Sequence, residues 1–221
     1  MALSAACGAG DRNLAASQEA DPQGHRQILV DLFGTIDRLK AGCWADILIR
    51  RYSVISNIFA ADPVGVSDIL GDSRPAFLLS TTRGAMLASL RERAVDALRI
   101  NCLEDLKVYL RADMAALPCE VVRLILLDNS RRLLLDETVG LGTIDEVSVH
   151  PREIVRRALE RNSRGAILVH NHPSGLAKPS RADRELTKSI CTALQLVGVT
   201  LIDHLIIAKS EIFSMREAEM I

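Results

Sequence analysis

Hydrophobic residues recur at intervals of three and four along the first half of the chain, the spacing of a buried helical face. From residue 25 the pattern runs through positions 28, 29, 32, 33, 36 and 39, and Gly42 breaks it. Further helices are predicted over residues 44–52, 62–71, from 74–75 onward, and over 82–110. Residues 1–24 are rich in small and polar residues without periodicity, so we expect a disordered tail there. Residues 25–110 are therefore predicted to form a small all-helical domain.

The period changes from helix to strand near residues 117–118. We expect a hairpin of strands 120–127 and 132–139 around a turn at 128–130, then a short strand at 147–149. A helix over 152–161 has Pro151 in its first turn, and a second helix over 181–197 ends at Gly198. Apolar runs at 166–169, 199–207 and 211–215 predict further strands. Residues 111–221 thus read as an α/β (α+β) domain, a mixed sheet covered by helices.

Composition excludes several classes of protein. The 221 residues are 48% hydrophobic and 25% charged with a formal net charge of −1, which argues against strong nonspecific nucleic-acid binding. Five scattered cysteines favour a reducing environment, and no apolar stretch has the length of a membrane span. We therefore expect a soluble, cytoplasmic protein with no membrane partner.

The candidate functional side chains are concentrated in residues 170–183. His170 and His172 follow the strand at 166–169, and alternation along a strand points both imidazoles the same way. Pro173 and Gly175 predict a turn, and a helix start follows with Asp183 in its first turn. Two imidazoles and one carboxylate suit a catalytic zinc site, in which three protein ligands leave a fourth position for water.

This spacing matches the JAMM/MPN+ metalloprotease signature. The segments 170–175, 179–181 and 203–205 resemble the RadC family in particular, as do Asp128, residues 142–143 and residues 150–153. The resemblance covers about residues 105–221 and matches the first half poorly. It implies a JAMM/MPN-like (cytidine deaminase-like) fold and a hydrolase for amide or isopeptide bonds, acting on an unknown peptide or isopeptide substrate.

The resemblance also implies roles for individual residues. His170, His172 and Asp183 would be the ligands of Zn²⁺, and Glu120 would be the general base. Other glutamates compete with Glu120 for that role: Glu137, Glu146 and Glu153. Ser180 would stabilise the oxyanion, and as a plain helix N-cap it has a second interpretation compatible with the first.

Several other residues have two interpretations. Asp203 and His204 either orient a ligand histidine or form a buried hydrogen-bonded pair. His150 is expected to be a capping or packing residue, and Cys119 a packing residue. The arginines at 152, 156, 157, 161 and 164 are either a solvated helix face or a phosphate-binding face.

The RadC resemblance further implies a helix-hairpin-helix segment that binds DNA backbone through glycine-rich hairpin amides. The nearest stretch, residues 80–85, lacks the Gly-x-Gly pattern. The leading hypothesis is thus a zinc hydrolase. The alternatives are a non-catalytic, repair-related DNA-associated protein and a partner-binding module, and the intact ligand set argues against the latter.

Overall fold

The computed structural model describes residues 22–99, 102–142 and 149–221. The predicted tail at 1–24 lies outside them, except for residues 22–24, which belong to the first helix. Glu146 and most of the predicted strand at 147–149 also lie outside the described residues. The helices are α1 (Pro22–Gly34), α2 (Ala41–Tyr52), α3 (Ile55–Ala60), α4 (Pro63–Leu70), α5 (Ser73–Arg99), α6 (Glu104–Met114), α7 (Pro151–Glu160) and α8 (Arg181–Leu196). The strands are β1 (Val121–Leu127), β2 (Leu133–Leu141), β3 (Gly165–Asn171), β4 (Thr200–Ile207) and β5 (Ile212–Ser214).

The chain divides into two compact units, Met1–Ile55 and Ser56–Ile221. Helices α4 to α6 therefore group with the sheet, whereas the sequence places them in a helical domain of residues 25–110. That residues 25–110 form a domain of their own stays a prediction. No helix in the part of the chain that the structure describes is long and apolar enough to cross a membrane.

In the first unit, α1 and α2 bury an apolar core in which the rings of Phe33 and Trp44 meet edge to face, with centroids 6.1 Å apart. The break between the helices differs from the prediction, because Gly42 lies inside α2. The Asp37 carboxylate accepts hydrogen bonds from the backbone N–H groups of Leu39 and Lys40, at 3.0 and 3.2 Å. The first helix thus ends at Gly34, before the predicted break, and Asp37 caps the turn that leads into α2.

Helix α5 is one continuous helix of 27 residues, where the sequence suggested two. Residues 80–85, the nearest match to a DNA-binding hairpin, lie in its middle. A Cβ at Gly84 would meet nothing within 4 Å, so this glycine marks neither a turn nor a close contact. The expected hairpin is absent at residues 80–85, because backbone N–H groups inside a helix bond to its own carbonyls.

The sheet has five strands in the order β2-β1-β3-β4-β5. Strand β3 pairs antiparallel with β1 and parallel with β4, and the other pairs are antiparallel. The hairpin β1–β2 turns where the Asp128 carboxylate accepts from the N–H groups of Ser130 and Arg132, at 2.7 and 2.8 Å. These observations confirm the predicted hairpin and the mixed α/β fold.

Helices cover both faces of the sheet. Residues of α5 and α6 pack on one face, where the core includes Leu98, Leu110, Ile125 and Val169. Residues of α7 and α8 pack on the other, where the core includes Ile154 and Ile190 together with alternate strand residues. Strand β3 is buried along its whole length, because it lies in the centre of the sheet with helices on both sides.

Candidate metal centre

Three side chains from a strand end, a turn and a helix start come together at the carboxyl end of β3. The ligand-type atoms of His170, His172 and Asp183 all lie within 4.8 Å of one another. The two Nε2 atoms are 2.8 Å apart. The Asp183 carboxylate lies 3.3 Å from Nε2 of His170 and 3.6 Å from Nε2 of His172. The structure therefore brings together the residues that the sequence predicted as ligands.

Local structure fixes the carboxylate of Asp183. Ser180 is the N-cap of α8, and its Oγ accepts a hydrogen bond from the Asp183 N–H at 3.1 Å. In return, Oδ2 of Asp183 accepts from the Ser180 N–H at 2.7 Å, which completes a capping box. The other carboxylate oxygen, Oδ1, faces His170. The same two residues thus begin the helix and aim one carboxylate at the histidines.

The two histidines are oriented by bonds on their far nitrogens. Nδ1 of His172 lies 2.8 Å from the carbonyl oxygen of Leu176, which only accepts, so Nδ1 carries the proton. Nδ1 of His170 lies 2.8 Å from Nε2 of His204, and Nδ1 of His204 lies 2.6 Å from Oγ1 of Thr187. Both Nε2 atoms consequently face the Asp183 carboxylate.

Burial and neighbouring charges give these groups different pKa values. Burial lowers the pKa of His170 to about 4 and that of His204 to about 3. The Asp183 carboxylate, followed by the Leu176 carbonyl and then the charge of Glu120, raises the pKa of the less buried His172 above its ordinary value of 6.5. Burial alone would raise the pKa of Asp183, but interactions with His172, His170 and Ser180 hold it well below its usual range. The cluster thus contains one neutral imidazole, one that takes up a proton readily, and an ionised carboxylate.

The chemistry of these donors fits a metal ion. In neutral His170 and His172 the Nε2 lone pairs face each other at 2.8 Å, which is repulsive unless a cation or proton lies between them. Two imidazole nitrogens and a carboxylate oxygen are ligands that Zn²⁺ accepts in catalytic sites. Each ligand also has the outer hydrogen bond that metal-ligating side chains usually make.

Glu120 lies immediately before β1 and beside this cluster. Val122 pairs with His170 across the strands, and alternation places the Glu120 side chain on the same face of the sheet as Val122. The Glu120 carbonyl accepts a hydrogen bond from the Gly142 N–H at 2.9 Å. Of its competitors, Glu137 and Glu153 are both ion-paired with Arg157, at 3.3 Å each. Glu120 thus lies next to the cluster, and its role as the general base stays a prediction.

Asn171 holds the backbone on both sides of Glu120. Its Oδ1 accepts from the Val121 N–H at 2.8 Å, and its Nδ2 donates to the Cys119 carbonyl at 3.0 Å. Asn171 is 1% exposed. The residue between the two histidines thus ties the segment that carries Glu120 to the end of β3.

The side chains of Asp203 and His204 have different partners. Asp203 is buried and accepts from the His204 N–H, Ser214 Oγ and the Arg216 N–H, at 2.7, 2.6 and 3.0 Å. These bonds brace the segment around β5, on a side away from the ligand atoms of His170. His204, by contrast, bonds directly to His170. Each of the two sequence interpretations therefore applies to one residue of the pair.

Other residues singled out in the sequence lie outside the cluster. His150 is the exposed N-cap residue of α7 and makes no side-chain capping bond, and Cys119 packs against the core. Arg156 and Arg157 are ion-paired with glutamates of α7 and β2. A phosphate-binding face on α7 is therefore poorly supported, since part of its positive charge is already compensated.

Sequence reasoning missed Asn171 and Thr187. Thr187 follows Asp183 by four residues, so it lies on the same face of α8, one turn further on. That spacing was a usable signal for Thr187. The bonds of Asn171 reach Cys119, a residue 52 positions away, and only the antiparallel pairing of β1 with β3 reveals them.

Comparison with known proteins shows which family the sequence belongs to. Residues 100–220 match the family model described as RadC-like JAB domain. A UPF0758 protein of Methylibium petroleiphilum is 38% identical over 175 residues, which cover 78% of each chain. A UPF0758 protein of Vibrio vulnificus is 37% identical over 179 residues, again 78% of each chain. UPF0758 protein YkfG of Escherichia coli is 48% identical over 109 residues, 49% of this chain and 69% of that protein. The chain described here therefore belongs to the family of proteins with a RadC-like JAB domain.

Proposed function

We propose that the protein is a zinc-dependent hydrolase of amide or isopeptide bonds. The observation that carries the proposal is the convergence of His170, His172 and Asp183, with their ligand-type atoms within 4.8 Å. When bound there, zinc supplies Lewis-acid polarisation and lowers the pKa of water toward about 7. His170 and His172 would hold it through Nε2, and Asp183 through its carboxylate.

Glu120 moves protons in this proposal. It would take a proton from the attacking water and give one to the leaving amine, as a general base and then a general acid. Its support is its position beside the cluster, and the bonds that hold its own carbonyl and both flanking residues. A backbone held on both sides fixes the point from which the Glu120 side chain extends.

Ser180 stabilises the oxyanion in this proposal. Its Oγ uses a lone pair to accept from the Asp183 N–H, and its hydroxyl hydrogen has no acceptor among the residues that the structure describes. Ser180 is also exposed, so that hydrogen is free to donate to a substrate oxygen. The capping role and the catalytic role therefore use different parts of one hydroxyl group.

Binding of DNA receives less support than hydrolysis. The stretch expected to form a backbone-binding hairpin is helical, and Arg156 and Arg157 are ion-paired. We also propose a cytoplasmic location, which the free thiols of Cys43, Cys102, Cys119 and Cys191 support.

The test combines metal content with hydrolysis. The unmodified protein is expected to bind about one zinc per chain, and His172→Ala is expected to lose it. Glu120→Gln is expected to keep the zinc and lose hydrolysis of a fluorogenic library of peptides and isopeptides, by about 100-fold or more. Glu137→Gln, a control on the same sheet, is expected to keep both. Failure of the unmodified protein to bind zinc contradicts the proposal, and full hydrolysis by Glu120→Gln moves the base to another residue.

A further inference from the structure

Thr187 and His204 form a hydrogen-bonded chain behind the ligand histidine His170. Thr187 lies on α8 and is 2% exposed, and His204 lies on β4 and is 1% exposed. Oγ1 of Thr187 lies 2.6 Å from the carbonyl oxygen of Asp183 and 2.6 Å from Nδ1 of His204. Nε2 of His204 lies 2.8 Å from Nδ1 of His170. The chain therefore runs from a backbone carbonyl to the imidazole of a ligand.

The direction of every bond in this chain follows from its first acceptor. A carbonyl oxygen only accepts, so the hydroxyl hydrogen of Thr187 points at Asp183. The Sδ of Met215, at 3.4 Å, is a weaker and more distant acceptor for that hydrogen. Oγ1 of Thr187 is then left as an acceptor, so the proton of His204 lies on Nδ1.

The tautomer of His204 in turn determines that of His170. A neutral His204 with its proton on Nδ1 has an unprotonated Nε2, which accepts from Nδ1–H of His170. Both imidazoles are buried, His170 with 4% and His204 with 1% of its surface exposed, and burial favours the neutral form of each. Nε2 of His170 is therefore left with its lone pair directed at His172 and Asp183.

We propose that Thr187 and His204 are positioning residues that fix His170 as its Nδ1–H tautomer, so that Nε2 is held ready to bind a cation. This inference rests on the proposed metal centre for its purpose, but the tautomer itself is a property of the metal-free protein. Because Thr187 bonds to the Asp183 carbonyl, one hydroxyl group links the orientation of His170 to the helix turn that carries Asp183. One residue thereby orients the imidazole of His170 and contacts the backbone of the residue that supplies the carboxylate.

The alternative tautomers show why the hydroxyl matters. Without it, Nδ1–H of His204 loses its acceptor, and His204 is free to carry its proton on Nε2 instead. That proton would point at Nδ1 of His170 and make it an acceptor, so the proton of His170 would move to Nε2. The lone pair would then leave the ligand position.

Heteronuclear correlation spectra of the imidazole nitrogens test this inference in the ¹⁵N-labelled, metal-free protein. Nδ1 is expected to be the protonated nitrogen in both His170 and His204. Thr187→Val is expected to give a mixture of tautomers at His170 and to weaken zinc binding by about 10- to 100-fold. Thr187→Ser keeps the hydroxyl and is expected to restore both properties.

Thr192→Val is a matched control, because Thr192 makes the same bond to the carbonyl four residues earlier but is exposed on α8. It is expected to change neither tautomer nor zinc affinity. A proton on Nε2 of His170 in the unmodified protein overturns the proposal without any variant. An unchanged tautomer and unchanged zinc affinity in Thr187→Val overturn it as well. Correct tautomers in a protein that binds no zinc would contradict the proposed function and leave the positioning role intact.

Discussion

Replacing Asn171 by leucine tests whether the residue between the two histidines anchors Glu120. The substitution keeps a similar volume at a position that is 1% exposed. It removes both the 2.8 Å bond from the Val121 N–H and the 3.0 Å bond to the Cys119 carbonyl. The perturbation therefore leaves one buried backbone donor and one half-buried backbone acceptor without their partner.

The expected cost follows from these two groups. A buried polar group that loses its partner costs about 1–3 kcal/mol, so Asn171→Leu should lower the free energy of unfolding by about 2–6 kcal/mol. Domains of this kind have stabilities of about 5–15 kcal/mol, so part of the range leaves a folded variant. Hydrolysis should fall along with stability, because the segment that carries Glu120 is no longer tied to β3.

Urea unfolding followed by circular dichroism measures the stability, and hydrogen exchange measures the Val121 amide. Ser163→Ala is the control, since it removes a single bond from a buried side chain, that of Oγ to the Ala158 carbonyl at 3.2 Å. It should cost about 1 kcal/mol. A loss in Asn171→Leu no larger than in Ser163→Ala, with unchanged protection of Val121, would refute the reasoning.

Two further predictions concern charge. Arg123→Met should destabilise the protein by about 2–4 kcal/mol in urea unfolding, because the carboxylates of Asp136 and Asp113 lose the cation that they share. Each keeps only a longer ion pair of 3.4 Å, Asp136 with Arg91 and Asp113 with Arg83, and a loss below about 1 kcal/mol would contradict the prediction. Zinc affinity in competition titrations should fall as the pH falls through the pKa of His172, which Asp183 raises above 6.5, because the proton that His172 takes up competes with the metal. The stability of the metal-free protein should instead increase as the pH falls. The raised pKa of His172 stabilises the fold below the ordinary value of 6.5, and this contribution is lost as pH rises through the pKa of the folded protein. Zinc affinity and stability that change with pH in the same direction would contradict the assignment.

The sequence predicted those parts of the molecule that depend on neighbours along the chain. The hairpin around Asp128, the start of α7 at Pro151 and the capping box of α8 follow from turn and capping chemistry within a few residues. The three candidate ligands lie within 14 consecutive residues, so local spacing was enough to group His170, His172 and Asp183. Short-range patterns therefore grouped the three residues that the structure brings together, and their role as metal ligands stays a prediction.

What the sequence did not predict depends on packing between distant segments. The sequence suggested that one helix starts at residues 74–75 and another at residue 82, whereas α5 runs through both positions without a break. The bonds of Asn171 and the pairing of His204 with His170 join residues 34 to 52 positions apart. Such contacts are set by the register of β1, β3 and β4, which local periodicity does not determine.

The topology of the sheet explains why these residues meet where they do. Strand β3 changes pairing sense between its neighbours, antiparallel to β1 and parallel to β4. The beginning of β1, with Glu120, therefore meets the end of β3, with His170 and His172. The connection from β3 to β4 must start at that same end, so the first turn of α8 brings Asp183 there. A parallel β1 would place Glu120 at the opposite end of the sheet from the histidines, and the distance of 50 positions between Glu120 and His170 in the chain is thus closed by the antiparallel pairing alone.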